Sequence, residues 1–175
     1  MAEGIRINKY LSEAGICSRR AADEYILKNI SFKVNKGETI AFIGSTGSGK
    51  STLINLVPRF YDATDGEVLI DGVNVKDYTQ NSLHNKIGYV PQKAVMFTGT
   101  VKENISYGDN GRKKASTNEI KEAIKVAQGT DFVEKMENTY DSHIARGGTN
   151  ISGGQKQRLA IARAIARDPE IYIFD

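Results

Sequence analysis

The octapeptide Gly44-Ser45-Thr46-Gly47-Ser48-Gly49-Lys50-Ser51 constrains this chain more than any other stretch. It fits the pattern G-x-x-x-x-G-K-[ST], which carries meaning only between a strand and a helix. The flanks predict that setting. TIAFI at 39–43 is a short apolar run of strand character, and STLINLVPRF at 51–60 has helical spacing. The chemistry follows from the glycines. They let successive backbone N–H groups turn inward on an anion. A helix starting near Gly49 aims its positive end at the same place. Lys50 can then reach the outer phosphates of a nucleotide, and the Ser51 hydroxyl suits Mg²⁺. Gly44 through Ser51, with Thr52 next in the helix, are therefore the candidate phosphate contacts.

The rest of the chain alternates in period. SFKV at 31–34 reads as a strand joined to TIAFI by the turn NKGE. EVLIDG at 67–72 and KIGYVPQ at 86–92 predict further strands. Ser116-Thr117-Asn118-Glu119 is a capping box, opening a helix with Ile120, Ala123, Ile124 and Ala127 on one face. Ser152 and Gln155 form a second capping box, and that helix runs to about Arg167, before Asp168-Pro169. IYIF at 171–174 predicts a strand of the buried type. Strands alternating with helices give an α/β fold with a parallel sheet. Residues 5–26 predict two short helices, the first with Ile7, Tyr10, Leu11 and Ala14 on one face, ended by Gly15; Ser18 caps the second.

Composition sets outer limits. A length of 175 residues suggests one domain, or one with a short appendage. At 39% hydrophobic and 26% charged, the chain has an ordinary soluble composition. A net charge of +3 neither requires nor excludes a nucleic-acid partner. Cys17 is the single cysteine, so no internal disulfide can form, and it reads as a small buried hydrophobe. His84 and His143 read as surface residues. No apolar run reaches the length of a membrane span, and MAEGIRINKY lacks the apolar core of a signal peptide. A membrane connection would come through a partner or through further sequence.

With GSTGSGKS upstream, NISGGQKQRLAIARA at 150–164 resembles the signature of ABC-type ATPases, with Ile151 in place of the usual leucine. YVPQ at 89–92 resembles the family's Q-loop, and IYIFD at 171–175 resembles its Walker B strand. The resemblance covers about 27–175 and is closest to the exporter branch, through LKNISFKVNKGETIAFIGSTGSGKSTLINLVPRFYDATDGEVLIDG and MFTGTVKENI. It implies a P-loop NTPase core with a parallel sheet and a helical subdomain at about 93–165. It implies ATP and Mg²⁺ as ligands. Asp175 would hold the metal through water, and Gln92 would contact the metal and the attacking water. Ser152, Gly153, Gly154 and Gln155 would serve the ATP held by a second ABC ATP-binding domain, packed head to tail as a homo- or heterodimer. The transmembrane domain of an exporter would be the other partner, at the cytoplasmic face of a bacterial plasma membrane. The basic residues Lys156, Arg158, Arg163 and Arg167 could suggest nucleic acid, but the blander reading is a solvated helix face with interface roles.

Two departures from the family shape the expectation. The family's catalytic glutamate, D-loop and switch histidine follow the Walker B aspartate and so lie beyond Asp175. The resemblance then implies an incomplete C-terminal part, a poorly stable chain, and ATP binding with little or no hydrolysis. At the other end, IRINKYLSEAGICSRRAADEYI at 5–26 resembles the start of the S-four-type RNA-binding domain of bacterial RNA pseudouridine synthases. There Lys9, Arg19 and Arg20 would meet RNA phosphates. The alternatives are thus an RNA-binding module joined to an ATPase remnant, or a non-functional chimeric fragment. Boundaries are expected at 1–26 and 27–175.

Overall fold

The computed structural model describes residues 30–108, 111 and 114–175. The chain divides into two units after Tyr78. The expected helices within 5–26, and Cys17, lie outside the described residues.

In the first unit the glycine loop leads into α1, Lys50–Asn55, which buries Leu53. The helix is shorter than the spacing to Phe60 predicts. Its exit tightens into turns, with Leu56 N donating to Leu53 O and Val57 N to Ile54 O. Pro58 then lacks the N–H a helix needs and disfavours helical geometry at the residue before it. Arg59 takes a left-handed φ of 56°. Strands β1, Leu69–Ile70, and β2, Val73–Asn74, pair antiparallel. Asp71 and Gly72 between them have φ of 53° and 78°, as the tight turn of a twisted hairpin requires. The Tyr78 hydroxyl donates to Ile70 O at 3.1 Å.

Two predicted strands do not form. Residues 31–34 and 39–43 carry no ladder, and Phe32, Val34, Ile40 and Ile43 are exposed. The turn between them is present, with Glu38 N donating to Asn35 O and Asn35 N to the Glu38 carboxylate. Local turn chemistry thus holds where the strands do not, because an isolated pair of strands is marginal without a third strand or a helix against it.

The second unit opens with α2, Gln80–Lys86, capped by Thr79. It passes directly into β3, Ile87–Val90. Strand β4, Gly99–Thr100, precedes α3, Val101–Ile105, whose capping box is Thr100 with Glu103. Helix α4, Thr117–Val126, has the predicted Ser116–Glu119 box and buries Ile120, Ala123 and Ile124. After the short α5, Thr130–Val133, comes β5, His143–Ile144, which pairs antiparallel with β4. Helix α6, Gly153–Ala166, carries the second predicted box, Ser152 with Gln155. Its end matches the predicted stop. Asp168 adopts φ 47° and donates its N–H to Ile165 O, before Pro169.

Strand β6, Ile171–Phe174, lies parallel to β3 in the register Ile87↔Ile171 through Val90↔Phe174. The mixed α/β architecture with a parallel pair is as predicted. The burial of β6 is not. Ile173 is buried but Tyr172 and Phe174 are exposed, so among the described residues only one face of the strand is covered. Helix α6 packs on α4, α3 and β3. Leu159, Ala162, Ile124, Ile105 and Ile144 meet in that core. Gly88 lets β3 approach the end of α6. A Cβ there would sit 2.7 Å from Pro169 Cγ and 3.3 Å from Ala164 O. His143 is exposed as expected, whereas His84, in the last turn of α2, is half-buried.

Candidate functional site

In the loop Gly44–Ser51, Gly47 and Gly49 have φ of 83° and 82°, the left-handed region that favours glycine. Ser48 N donates to Ser45 O at 3.2 Å, closing the turn, and Ser48 is buried. The Lys50 ammonium folds back over the loop. It donates to Gly44 O at 2.9 Å, Ser45 O at 2.8 Å and Ser48 Oγ at 3.2 Å. An ammonium has three donors, so these oxygens hold it in place. Gly44, Ser45, Thr46, Gly47 and Ser51 are exposed, and Thr52 is half-buried. The loop therefore presents a positive charge beside exposed, glycine-shaped backbone, a fit for phosphate oxygens.

The second predicted cluster starts α6. Ser152 N donates to Gln155 Oε1 at 2.8 Å, and Gln155 N donates to Ser152 Oγ at 3.2 Å. This reciprocal cap fixes the first turn of a fourteen-residue helix, whose positive end lies here. Ser152, Gly153 and Gly154 are exposed. A Cβ added to Gly153 or Gly154 would meet nothing within 4 Å. Packing among the described residues does not require either glycine.

The third cluster sits at the carboxyl end of the parallel pair. Asp175 follows β6, and its N–H donates to Val90 O at 3.0 Å. Gln92 lies two residues beyond β3 and is exposed. Both side chains thus leave the same end of the sheet, where parallel α/β sheets bind ligands. The Tyr89 hydroxyl donates to Asp175 Oδ2 at 3.3 Å. Burial, with the neighbouring Asp175 charge and that hydrogen bond, pushes the phenol up to about 12. Among the described residues no group of three His, Cys, Asp or Glu gathers to hold a metal. The predicted donors are a hydroxyl (Ser51), an amide oxygen (Gln92) and a carboxylate (Asp175). That all-oxygen set suits Mg²⁺, which keeps several of its waters. Ser51 belongs to the first unit; Gln92, Asp175 and the Ser152–Gln155 cluster belong to the second.

A family model described as ABC transporter matches residues 27–175. The chain belongs to the ABC transporter family. A Staphylococcus aureus protein (strain NCTC 8325) described as a multidrug export ATP-binding/permease protein is 51% identical over 150 residues, covering 86% of this chain and 25% of that protein. The counterpart from strain Mu50 has the same identity and coverage. Among solved structures, a bacterial Atm1-family ABC exporter with ATP bound matches with a TM-score of 0.70 at 43% identity, covering 75% of this chain and 23% of that one. This ABC chain thus spans about a quarter of the length of the curated relatives it matches. The exporter-type resemblance read from the sequence agrees with these relatives. The family match begins at residue 27, after the stretch that resembles an RNA-binding domain.

Sequence reasoning missed one device in this ABC domain. Asn104 is buried; its amide nitrogen donates to Phe97 O and Thr100 O, and its Oδ1 accepts from Phe97 N. Arg163 on α6 donates to Asn104 O at 2.7 Å, to Val95 O at 3.0 Å and to Asn104 Oδ1 at 3.2 Å. Its guanidinium also lies over the stacked rings of Phe97 and Tyr107, 5.3 and 5.9 Å from their centroids. Burial lowers its pKa. The reading of Arg163 as part of a solvated face is therefore corrected: it ties the segment 95–107 to α6. Arg158, on the same helix, donates to Gln128 O. The signal for Arg163 was its place between Ala162 and Ala164, both buried, but charge alone does not show which basic residue turns inward.

Proposed function

We propose that this chain is the ATP-binding domain of an ABC exporter, holding Mg-ATP and closing head to tail on a second such domain to power transport. The observation that carries this reading is the exposed start of α6. Gly153 and Gly154 have open space among the described residues where a Cβ would go, which suits the close approach of a ligand to that backbone. A nucleotide presented by a partner domain has the right charge for that helix end. The loop Gly44–Ser51, with Lys50 and Thr52, supplies the complementary half for this chain's own nucleotide.

In this reading Lys50 exchanges its loop carbonyls for the outer phosphates. Ser51 and Asp175 would hold the metal, and Gln92 would contact it and the attacking water. Bound Mg²⁺ supplies charge neutralisation for the transferred phosphoryl group. The partner is a homologous or a different ATP-binding domain, and the exporter's transmembrane domain docks on the same module at the cytoplasmic face of a bacterial plasma membrane. No helix among the described residues is long and apolar enough to cross a membrane. The ATP-binding domain occupies 27–175, with a helical subdomain at about 93–165.

Titration of the chain with a fluorescent ATP analogue tests the reading. Lys50→Ala is expected to weaken binding by at least about tenfold, the loss of one charge-assisted contact. Its thermal midpoint should fall only slightly, through loss of the exposed bonds that Lys50 makes to Gly44 O and Ser45 O. A parent chain that binds no analogue, or a Lys50→Ala variant that binds equally well, would defeat the reading.

A further inference from the structure

The metal-side carboxylate in the proposed site is not held by its own strand alone. Asp175 is the residue after β6, where a ladder ends and a side chain gains freedom. Two groups from the neighbouring strand reach it. The Val90 carbonyl accepts its N–H at 3.0 Å, and the Tyr89 hydroxyl donates to its Oδ2 at 3.3 Å. The register explains why Tyr89 can do this. Tyr89 pairs with Ile173, and Asp175 lies two residues further on. Residues two apart on a strand share a face, so the tyrosine ring extends along that face to the carboxylate.

The same strand leads into the proposed metal and water contact. Tyr89 is followed by Val90, Pro91 and Gln92. Pro91 stiffens the step between the strand end and Gln92. One short segment therefore presents Gln92 and grips Asp175. A carboxylate that binds a metal through water needs its oxygens oriented before the ion arrives, and a hydrogen bond to one oxygen removes rotation about the side chain's last bond. An aliphatic residue at position 89 would fill the strand but could not make that hydrogen bond.

We infer that Tyr89 is a positioning residue for Mg²⁺, orienting the Asp175 carboxylate through its hydroxyl and linking it to the strand that carries Gln92. The inference rests on the ATP-binding reading above and deepens it. In this role Tyr89 acts through Asp175, the group its hydroxyl reaches.

The test uses the full 175-residue chain and the fluorescent ATP analogue, titrated in EDTA and then across a Mg²⁺ series. Tyr89→Phe keeps the ring and removes the hydroxyl; Tyr89→Leu removes both. Both variants are expected to raise the Mg²⁺ concentration for half-maximal tightening by about tenfold, the lower end for loss of an outer partner of a metal ligand. Affinity in EDTA should stay within about twofold of the parent chain, since metal-free nucleotide does not use Asp175. Asp175→Asn should remove most of the Mg²⁺ effect, and adding Tyr89→Phe to it should change nothing further. Unchanged Mg²⁺ demand in Tyr89→Phe overturns the inference and leaves the ATP-binding reading intact. A shift in Tyr89→Leu only, or an equal loss of affinity in EDTA, makes the ring a packing element and overturns it as well. If the unsubstituted chain binds no analogue, the reading fails and the inference falls with it.

Discussion

The glycine loop and the start of α6 are both glycine-rich anion candidates, yet they are held by different means. The loop is held locally. Lys50 bonds to Gly44 O, Ser45 O and Ser48 Oγ, all within six residues, and the helix behind it is only six residues long. The start of α6 is held by a reciprocal cap and by a fourteen-residue helix whose inner face, Leu159, Ala160, Ala162 and Ala164, is buried in the core. A turn can be specified by its own backbone chemistry. A helix end is placed in space only by what the rest of the helix packs on.

The largest effect that could break this contrast is in the core. Leu159 is fully buried, and Leu159→Ala is expected to destabilise by about 3–5 kcal/mol, through lost transfer energy plus the cavity left. Leu53→Ala on α1 should cost about 2 kcal/mol, because a short helix can settle around the gap. Urea unfolding of the two variants measures this. Equal losses would mean that the loop's helix depends on tertiary packing as much as α6 does.

Arg163 sharpens the comparison. Arg163→Ala should cost about 2–3 kcal/mol, since it removes charge-assisted bonds to Asn104 O and Val95 O. Arg163→Lys should recover only part of this, because an ammonium cannot reproduce the guanidinium fork. The urea midpoint of both variants is the readout. A neutral Arg163→Ala would return this residue to the solvated face.

The smallest effect separates stability from function. Ser116→Ala and Ser152→Ala each remove a capping-box hydroxyl and should each cost about 1 kcal/mol in thermal unfolding. Only Ser152→Ala should also reduce ATP-dependent association, followed by light scattering. If both variants lower association alike, the start of α6 is a structural cap and nothing more.

Much of the second unit was legible in advance. The two capping boxes and the stop at Asp168-Pro169 rest on interactions within four residues, and the face Ile120–Ala123–Ile124 on the helical repeat; all are present. The turn at 35–38 is present for the same reason. The strands expected at 31–34 and 39–43 do not form, because β-branched and aromatic composition marks a segment able to pair without naming its partner. Arg163 and Asn104 were missed because their bond spans 59 residues, and no local pattern records it.

By itself, then, the sequence determined local features of this ABC domain: the glycine-rich loop Gly44–Ser51, the serine that caps α6, and where α6 stops. Only the tertiary structure decided which groups from distant segments meet. The parallel register of β3 and β6 set Tyr89 against Asp175, and the packing of α6 turned Arg163 onto Asn104 and Val95. The physical reason is range. Caps and turns are satisfied by neighbours in the chain, whereas a buried charge or a strand-end carboxylate is satisfied by whichever donor or acceptor the fold brings within 3 Å or so.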